Sequence, residues 1–346
     1  MRSFSVFCCS TILFLCAVSQ GEPSAPEYAV VNKIALAGEG GWDYCTVDDS
    51  TGRLFVSHNM QVQVVDIASQ QQIGVISDTR GVHGIALVRE QGKVYMSNGD
   101  DTSVTVADLG TLAFIGKIHV TGLDPDAIIY DPFSGCIVTC NGKSGTATLI
   151  DTKNDAVLAT IVLGGKPEYA ASGNNGKIYV NLEDKDAVAV INMKTRKVEK
   201  KWSVAPGSSP SAMAIDTADH RLFIGCRSKV LIVMDAVNGK VIATLPIGEH
   251  VDAAAFDPAT QRVFCSNGVG TVTVVQKTGK NGFKVVENIA TQKGAKTMAL
   301  DRSTHRLYLP TAEYDKAPEP TTENPKPKAK VRSGSFMILE VAPIEK

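Results

Sequence analysis

The strongest constraint on this chain is a repeat. A short apolar run recurs seven times: RLFVSHN from Arg53, KVYMSNG from Lys93, CIVTCNG from Cys136, KIYVNLE from Lys177, RLFIGCR from Arg221, RVFCSNG from Arg262 and RLYLPTA from Arg306. Successive starts are separated by 40, 43, 41, 44, 41 and 44 residues. Such a period marks a stacked or circular array in which no single unit can bury its own apolar surface. Within each unit the anchor is preceded by another apolar run, which ends in Asp in five copies (Asp48, Asp131, Asp216, Asp257, Asp301) and in Val88 and Gly173 in the other two. It is followed by alternating β-branched runs such as TVTVV at Thr271. Period-two alternation between Asp-Pro and Asn-Gly turns reads as strands joined by tight turns. The expected fold is therefore all-β: a seven-bladed β-propeller of four-stranded antiparallel blades, the architecture also built by WD40-like repeats. The seventh unit runs out after three strands, whereas YAVVNKIALA at Tyr28 precedes the first unit and reads as a fourth strand. We expect that N-terminal strand to join the last blade and close the ring.

The remaining segments set the domain limits. Arg2 followed by the apolar stretch Phe4–Val18 and then small or polar residues reads as a secretory signal peptide over residues 1–21. Its apolar run falls short of the roughly 20 residues needed to span a bilayer. Residues 22–346 then form one propeller domain with no membrane span, in a secreted or periplasmic protein. Residues 313–334 are rich in Pro and Lys and read as a loop inserted between two strands of the seventh blade. Five cysteines follow the leader (Cys45, Cys136, Cys140, Cys226, Cys265), an odd number without a C-x-x-C pair, so they read as small buried hydrophobes. A formal net charge of −1 argues against nucleic acid as partner.

The unit KIYVNLEDKDAVAVINMKTRKVEKKWSV, with its relatives RLFVSHN and RVFCSNG, resembles the YVTN family of β-propeller repeats, the YncE-like secreted bacterial proteins. The resemblance covers about residues 28–346. It implies the propeller fold and imports no catalytic residues.

Two positions per repeat escape the apolar pattern. Counting five back from the recurrent Asp gives Asp43, His83, Asp126, Glu168, Ser211, Asp252 and Lys296. Counting five on from the anchor gives His58, Asn98, Asn141, Leu182, Cys226, Asn267 and Thr311. Both fall at one end of the strands, so Asp43, His58, His83, Asn98, Asp126, Asn141, Glu168, Asp252 and Asn267 are the expected lining of a polar channel mouth. Two functions follow. One is a binding or scaffold propeller that uses this mouth for a small molecule or a protein. The other is a metal-dependent hydrolase or lactonase in which Asp43, His83, Asp126, Glu168 and Asp252 hold a divalent cation that polarises a carbonyl. EGGWD at Glu39 resembles the EGPxW start of gluconolactonase-like propellers, with Gly41 in place of Pro. No G-x-S-x-G, HExxH, EF-hand or Walker motif is present, so the first reading stands ahead of the second.

Overall fold

The computed structural model describes Met1 and residues 27–319, 321–322 and 327–344. The expected signal peptide lies almost wholly outside these residues. The described strands form seven sheets of four strands each. In blade 1, Trp42–Asp48 is innermost, then Arg53–His58, Gln61–Asp66 and the outer strand Gln71–Ile76, each antiparallel to the last. Blades 2 to 6 repeat this order. The chain therefore enters each of these six blades at the same face of the ring, beside the channel, and leaves it on the rim.

Closure follows the expected route. Glu27–Ala35 pairs antiparallel with Met337–Ile344, register Tyr28↔Pro343 to Ala35↔Met337, and completes the sheet whose inner strands are Ala299–Asp301 and Arg306–Thr311. Tyr28, Ile34 and Leu36 are buried by that pairing, and Tyr28 sets its ring edge-on to Phe264 of blade 6 at 5.2 Å. The strand thus covers an exposed edge and fills the last gap between blades.

The core is a series of seams rather than one nucleus. Between blades 3 and 4, Val138, Cys140 and Leu149 meet Ile178, Val180 and Ile191. Equivalent clusters occupy the other six junctions. The middle strands are covered on both faces, which is why their sequences run apolar without interruption. All five described cysteines are free and buried in these seams.

The recurrent Asp at the far end of the inner strand is a turn lock. Asp48 accepts hydrogen bonds from Ser50 Oγ (2.6 Å) and Thr51 Oγ1 (2.7 Å), and Asp301 does the same for Ser303 and Thr304 (2.6 Å each). This Asx-type bonding fixes the turn into the second strand. Val88 is instead followed by a short 3-10 turn, Arg89–Gln91, that ends on left-handed Gly92.

The inserted segment of blade 7 has an ordered base. Tyr314 bridges Val331, Asp315 N donates to Lys330 O (2.9 Å), and Arg332 N donates to Glu313 O (2.8 Å). Ser333 Oγ donates to Glu39 (2.6 Å). Trp42 packs beneath this base, its ring 5.4 Å from Phe336 and 6.4 Å from Tyr314. The aromatic residue that stood next to Asp43 in the sequence is thus occupied in holding the insertion.

Candidate functional site

Why do the mouth positions break the apolar pattern? The ladder between the first two strands skips a register at that point in six blades. The skip falls between Trp42 and Cys45, Val82 and Ile85, Pro125 and Ile128, Pro167 and Ala170, Pro210 and Ala212, and Val251 and Ala253. Each skip is a β-bulge, and a bulge re-aims a side chain that strict alternation would send into the sheet. Asp43, His83, Asp126, Glu168, Ser211 and Asp252 all sit in these bulges. Lys296 precedes the short inner strand of blade 7.

Neighbouring blades pin the bulges. Thr297 Oγ1 of blade 7 donates to Asp43 O (2.6 Å), Ser97 Oγ of blade 2 to Asp126 O, and Ser266 Oγ of blade 6 to Lys296 O. A ring position is therefore fixed by two blades, not one.

The structure divides the nine expected mouth residues into two groups. Asp43, His83, Asp126, Glu168 and Asp252 form the ring. His58, Asn98, Asn141 and Asn267 are buried within the blades and line no mouth. Asn98 Nδ2 donates to Ser103 Oγ (3.0 Å) and Thr105 Oγ1 (2.9 Å), Asn141 Nδ2 to Thr146 (3.0 Å) and Thr148 (2.9 Å), and Asn267 Nδ2 to Thr271 and Thr273 (3.1 Å each). These amides clamp the second strand to the third. His58 takes the corresponding place in blade 1, with Nδ1 2.9 Å from Gln63 Oε1 and its ring against Phe336. Burial lowers its pKa. The signal that separates the two groups is readable in retrospect: a hydroxyl residue four or five positions after each Asn and another two beyond it.

Nor is the ring one cluster of five. Asp43, His83 and Asp126, on consecutive blades, have donor atoms all within 4.8 Å of one another. His83 Nδ1 lies 2.8 Å from Asp43 Oδ2 and 3.8 Å from Asp126 Oδ1. Burial alone would lower the His83 pKa, but the hydrogen bond that its ring donates to Asp43 and the charges of Asp126, Asp43 and Asp124 raise it to about 9. Asp126 Oδ1 is sealed from solvent and has no hydrogen-bond partner. Burial, then the neighbouring Asp43 carboxylate, push the Asp126 pKa up to about 7 against the opposing pull of His83.

The other ring members face cations. Lys296 Nζ contacts Asp252 Oδ2 at 2.6 Å and reaches within 3.8 Å of Asp43. Burial would depress that ammonium, yet Asp252 and Asp43 hold its pKa above the ordinary range. Arg227 stands between blades, its Nε 3.1 Å from Glu183 and its Nη2 3.6 Å from Asp252 and 3.8 Å from Glu168. Lys166 Nζ binds Glu168 (2.6 Å) and Glu183 (2.7 Å). Burial, then Glu183, raise the Glu168 pKa although Lys166 opposes them. The expected five-residue metal set is thus reduced to three; Glu168 and Asp252 are taken up by lysine and arginine. Lys166 escaped the sequence reading because it lies in a loop, outside the two counted positions.

A floor closes the mouth. Tyr44 and Tyr169 follow Asp43 and Glu168 in the bulges of blades 1 and 4, and their rings meet edge-to-face at 5.4 Å across the channel. Burial first, then Asp126 and Asp43, raise the Tyr44 pKa, which keeps the phenol neutral. On the far side lies a cavity of about 590 Å³, lined by Thr46, Ile85, Ile128, Tyr169, Met213 and Met298 among others; none of the ring carboxylates borders it. The ring is therefore a cup with an aromatic bottom. It offers hydrogen bonds and charge of both signs, and a mouth open to solvent.

No protein-family model matches the chain, and no curated protein does. Solved structures do. A chain of Kuenenia stuttgartiensis hydrazine synthase superposes with a TM-score of 0.69 at 16% identity, covering 78% of this chain and 92% of that one. The structures of U3-55K and of the RRP9 WD40 repeats each give 0.74 at 10% identity, with 92% of this chain and 100% of theirs covered. At such identities the likeness is one of fold. The chain is a seven-bladed β-propeller with the fold of these proteins.

Proposed function

We propose that this protein is an extracytoplasmic binding propeller of the YVTN type, which holds a small charged ligand in the cup formed by its ring residues. One observation carries the reading: six inner strands bulge at the same level, and five of those bulges present Asp, His or Glu above the Tyr44–Tyr169 floor. Bulges and desolvated carboxylates lower stability, and their clustering at one mouth marks a functional site. A propeller is generically a scaffold for recognition, and shape alone does not assign chemistry. Charge of both signs around the cup favours a ligand that itself carries charge. Export is supported by the leader-like residues 1–21 and by the YVTN resemblance.

The test is thermal. The purified mature chain is heated with a panel of amino acids, polyamines, sugar acids and phosphate esters, alongside Arg227→Met and Lys296→Met. A compound that raises the wild-type Tm by about 2 °C or more, but not that of the variants, supports the cup. A panel with no effect, or effects equal in all three proteins, overturns it. Export is checked separately by N-terminal sequencing after bacterial expression of the whole chain. An uncleaved leader in the cytoplasmic fraction contradicts that part of the reading.

A further inference from the structure

Two carboxylates and an imidazole meet on blades 1, 2 and 3, and one of the oxygens has nothing to bind. We propose that Asp43, His83 and Asp126 form a site for a divalent transition-metal ion, with one nitrogen and two oxygen ligands from the chain and its remaining positions open to the cup. The proposal rests on the reading of the ring as the ligand-holding face and names one occupant of it.

Geometry is the first support. Ligands at about 2.0–2.2 Å around a tetrahedral ion stand roughly 3.4 Å apart. The His83–Asp43 and His83–Asp126 separations, 2.8 and 3.8 Å, lie on either side of that distance. Metal binding releases the His83 Nδ1 proton to solvent; small side-chain rotations then bring all three donors to one ion, and the bulges that carry them are tied to neighbouring blades through the Asp43 and Asp126 carbonyls. The unserved oxygen is the second support. Asp126 Oδ1 is inaccessible to solvent and lacks any donor, while the one proton on His83 Nδ1 is directed at Asp43. A buried carboxylate oxygen without a partner is costly, and a bound cation removes that cost. Selectivity is the third. The imidazole favours zinc, copper or nickel over calcium, which prefers six to eight oxygens. Glu168 and Asp252 are excluded from the ligand set because Lys166, Arg227 and Lys296 occupy them. Three chain ligands with open positions is the pattern of metal sites that also take a small molecule.

The experiment is calorimetric titration of chelator-treated mature protein with Zn²⁺, Mn²⁺, Ni²⁺ and Ca²⁺ in turn. One ion per chain is expected for at least one of the first three, with weaker Ca²⁺. Asp126→Asn and Asp43→Asn lose about tenfold or more in affinity, and Asp252→Asn retains it. If Asp126→Asn does not fold by circular dichroism, His83→Gln carries the same expectation. No stoichiometric ion, equal binding in the Asp126 and Asp43 variants, or Ca²⁺ as the tightest ion each overturns the assignment. The metal and cup readings fail separately: an organic ligand lost in Arg227→Met without any metal binding sinks only the metal, whereas a metal without any organic ligand sinks only the wider cup.

Discussion

The two halves of the mouth use one backbone device and reach opposite electrostatic outcomes. On blades 1 to 3 the bulges carry Asp43, His83 and Asp126, and their counter-charges among the described residues are the His83 imidazole and, 3.8 Å from Asp43, the Lys296 ammonium. On blades 4 to 7 they carry Glu168 and Asp252, and three basic residues surround these. The bulge is common to both halves, so the difference lies in what the adjoining loops supply. Lys166 enters from the loop before its strand and Arg227 from the turn after blade 5's second strand. A repeat position therefore fixes where a charged group is displayed, and residues outside the repeat decide whether that group is already satisfied.

The largest effect is expected where the halves join. Lys296 and Thr297 of blade 7 touch Asp43 of blade 1 directly, across the seam that the N-terminal strand closes. Deleting residues 22–36 uncovers the edge of Met337–Ile344 and removes the buried Tyr28, Ile34 and Leu36 side chains. At about 1.5–3 kcal/mol each, those three amount to much of the roughly 5–15 kcal/mol that keeps a domain folded. Urea unfolding followed by fluorescence is expected to show a broad, early transition in place of a cooperative one. A deletion with an unchanged midpoint contradicts the closure argument and with it the coupling of the two halves.

A pH titration separates the halves next. The His83 pKa in the folded protein, about 9, stands above its ordinary value of 6.5. Folding therefore favours the protonated ring: its stabilisation is complete below about pH 6.5, declines above that and is gone once pH passes about 9. Discounted for partial exposure, the loss amounts to about 2 kcal/mol. Lys166 and Lys296 on the other half keep their charge throughout this window, while Glu168, its pKa raised to about 8, adds a fall up to about pH 8 that both proteins share. Wild-type Tm is expected to fall between pH 6.5 and 9.5 in metal-free buffer, and His83→Gln to show a smaller fall that ends near pH 8. Parallel profiles for the two proteins rule out His83 as the compensating charge.

These distinctions were unequally legible in the sequence. Seven anchors and a period fix the blade number, and counting back from Asp48 and its equivalents finds the ring, because the inner strands of five blades are each seven residues long from bulge to turn. The same counting misplaced Asn98, Asn141 and Asn267. A polar residue in an apolar strand reads alike whether it faces solvent or clamps a neighbouring strand, and only the hydroxyls of Thr105, Thr148 and Thr273 distinguish the cases. Trp42 stands next to Asp43 in the sequence, yet its ring packs on Phe336, nearly three hundred residues away along the chain, a contact that adjacency does not encode. The Tyr44–Tyr169 floor joins blades three apart, a contact that no local pattern encodes.

The finest test is one of sign. Replacing a ring carboxylate by its amide has opposite consequences on the two halves. Asp126→Asn removes a charge whose inner oxygen is buried without a donor. An amide has less to lose on leaving water, so in metal-free buffer at pH 8 the variant is expected to be more stable by about 1 kcal/mol. Asp252→Asn removes the partner of Lys296 and Arg227. Both cations are partly exposed, so the expected loss is smaller, about 0.5 kcal/mol. Chemical denaturation of the three proteins side by side resolves such differences when the slopes agree. Adding a transition metal at about a hundredfold excess over Kd then stabilises wild type by about 2.7 kcal/mol and Asp252→Asn equally, while Asp126→Asn gains little. The order of Asp126→Asn and wild type therefore inverts between metal-free and metal-loaded buffer. Two amide variants that destabilise alike, with or without metal, leave no distinction between the halves, because the unserved oxygen of Asp126 is the feature on which the distinction depends.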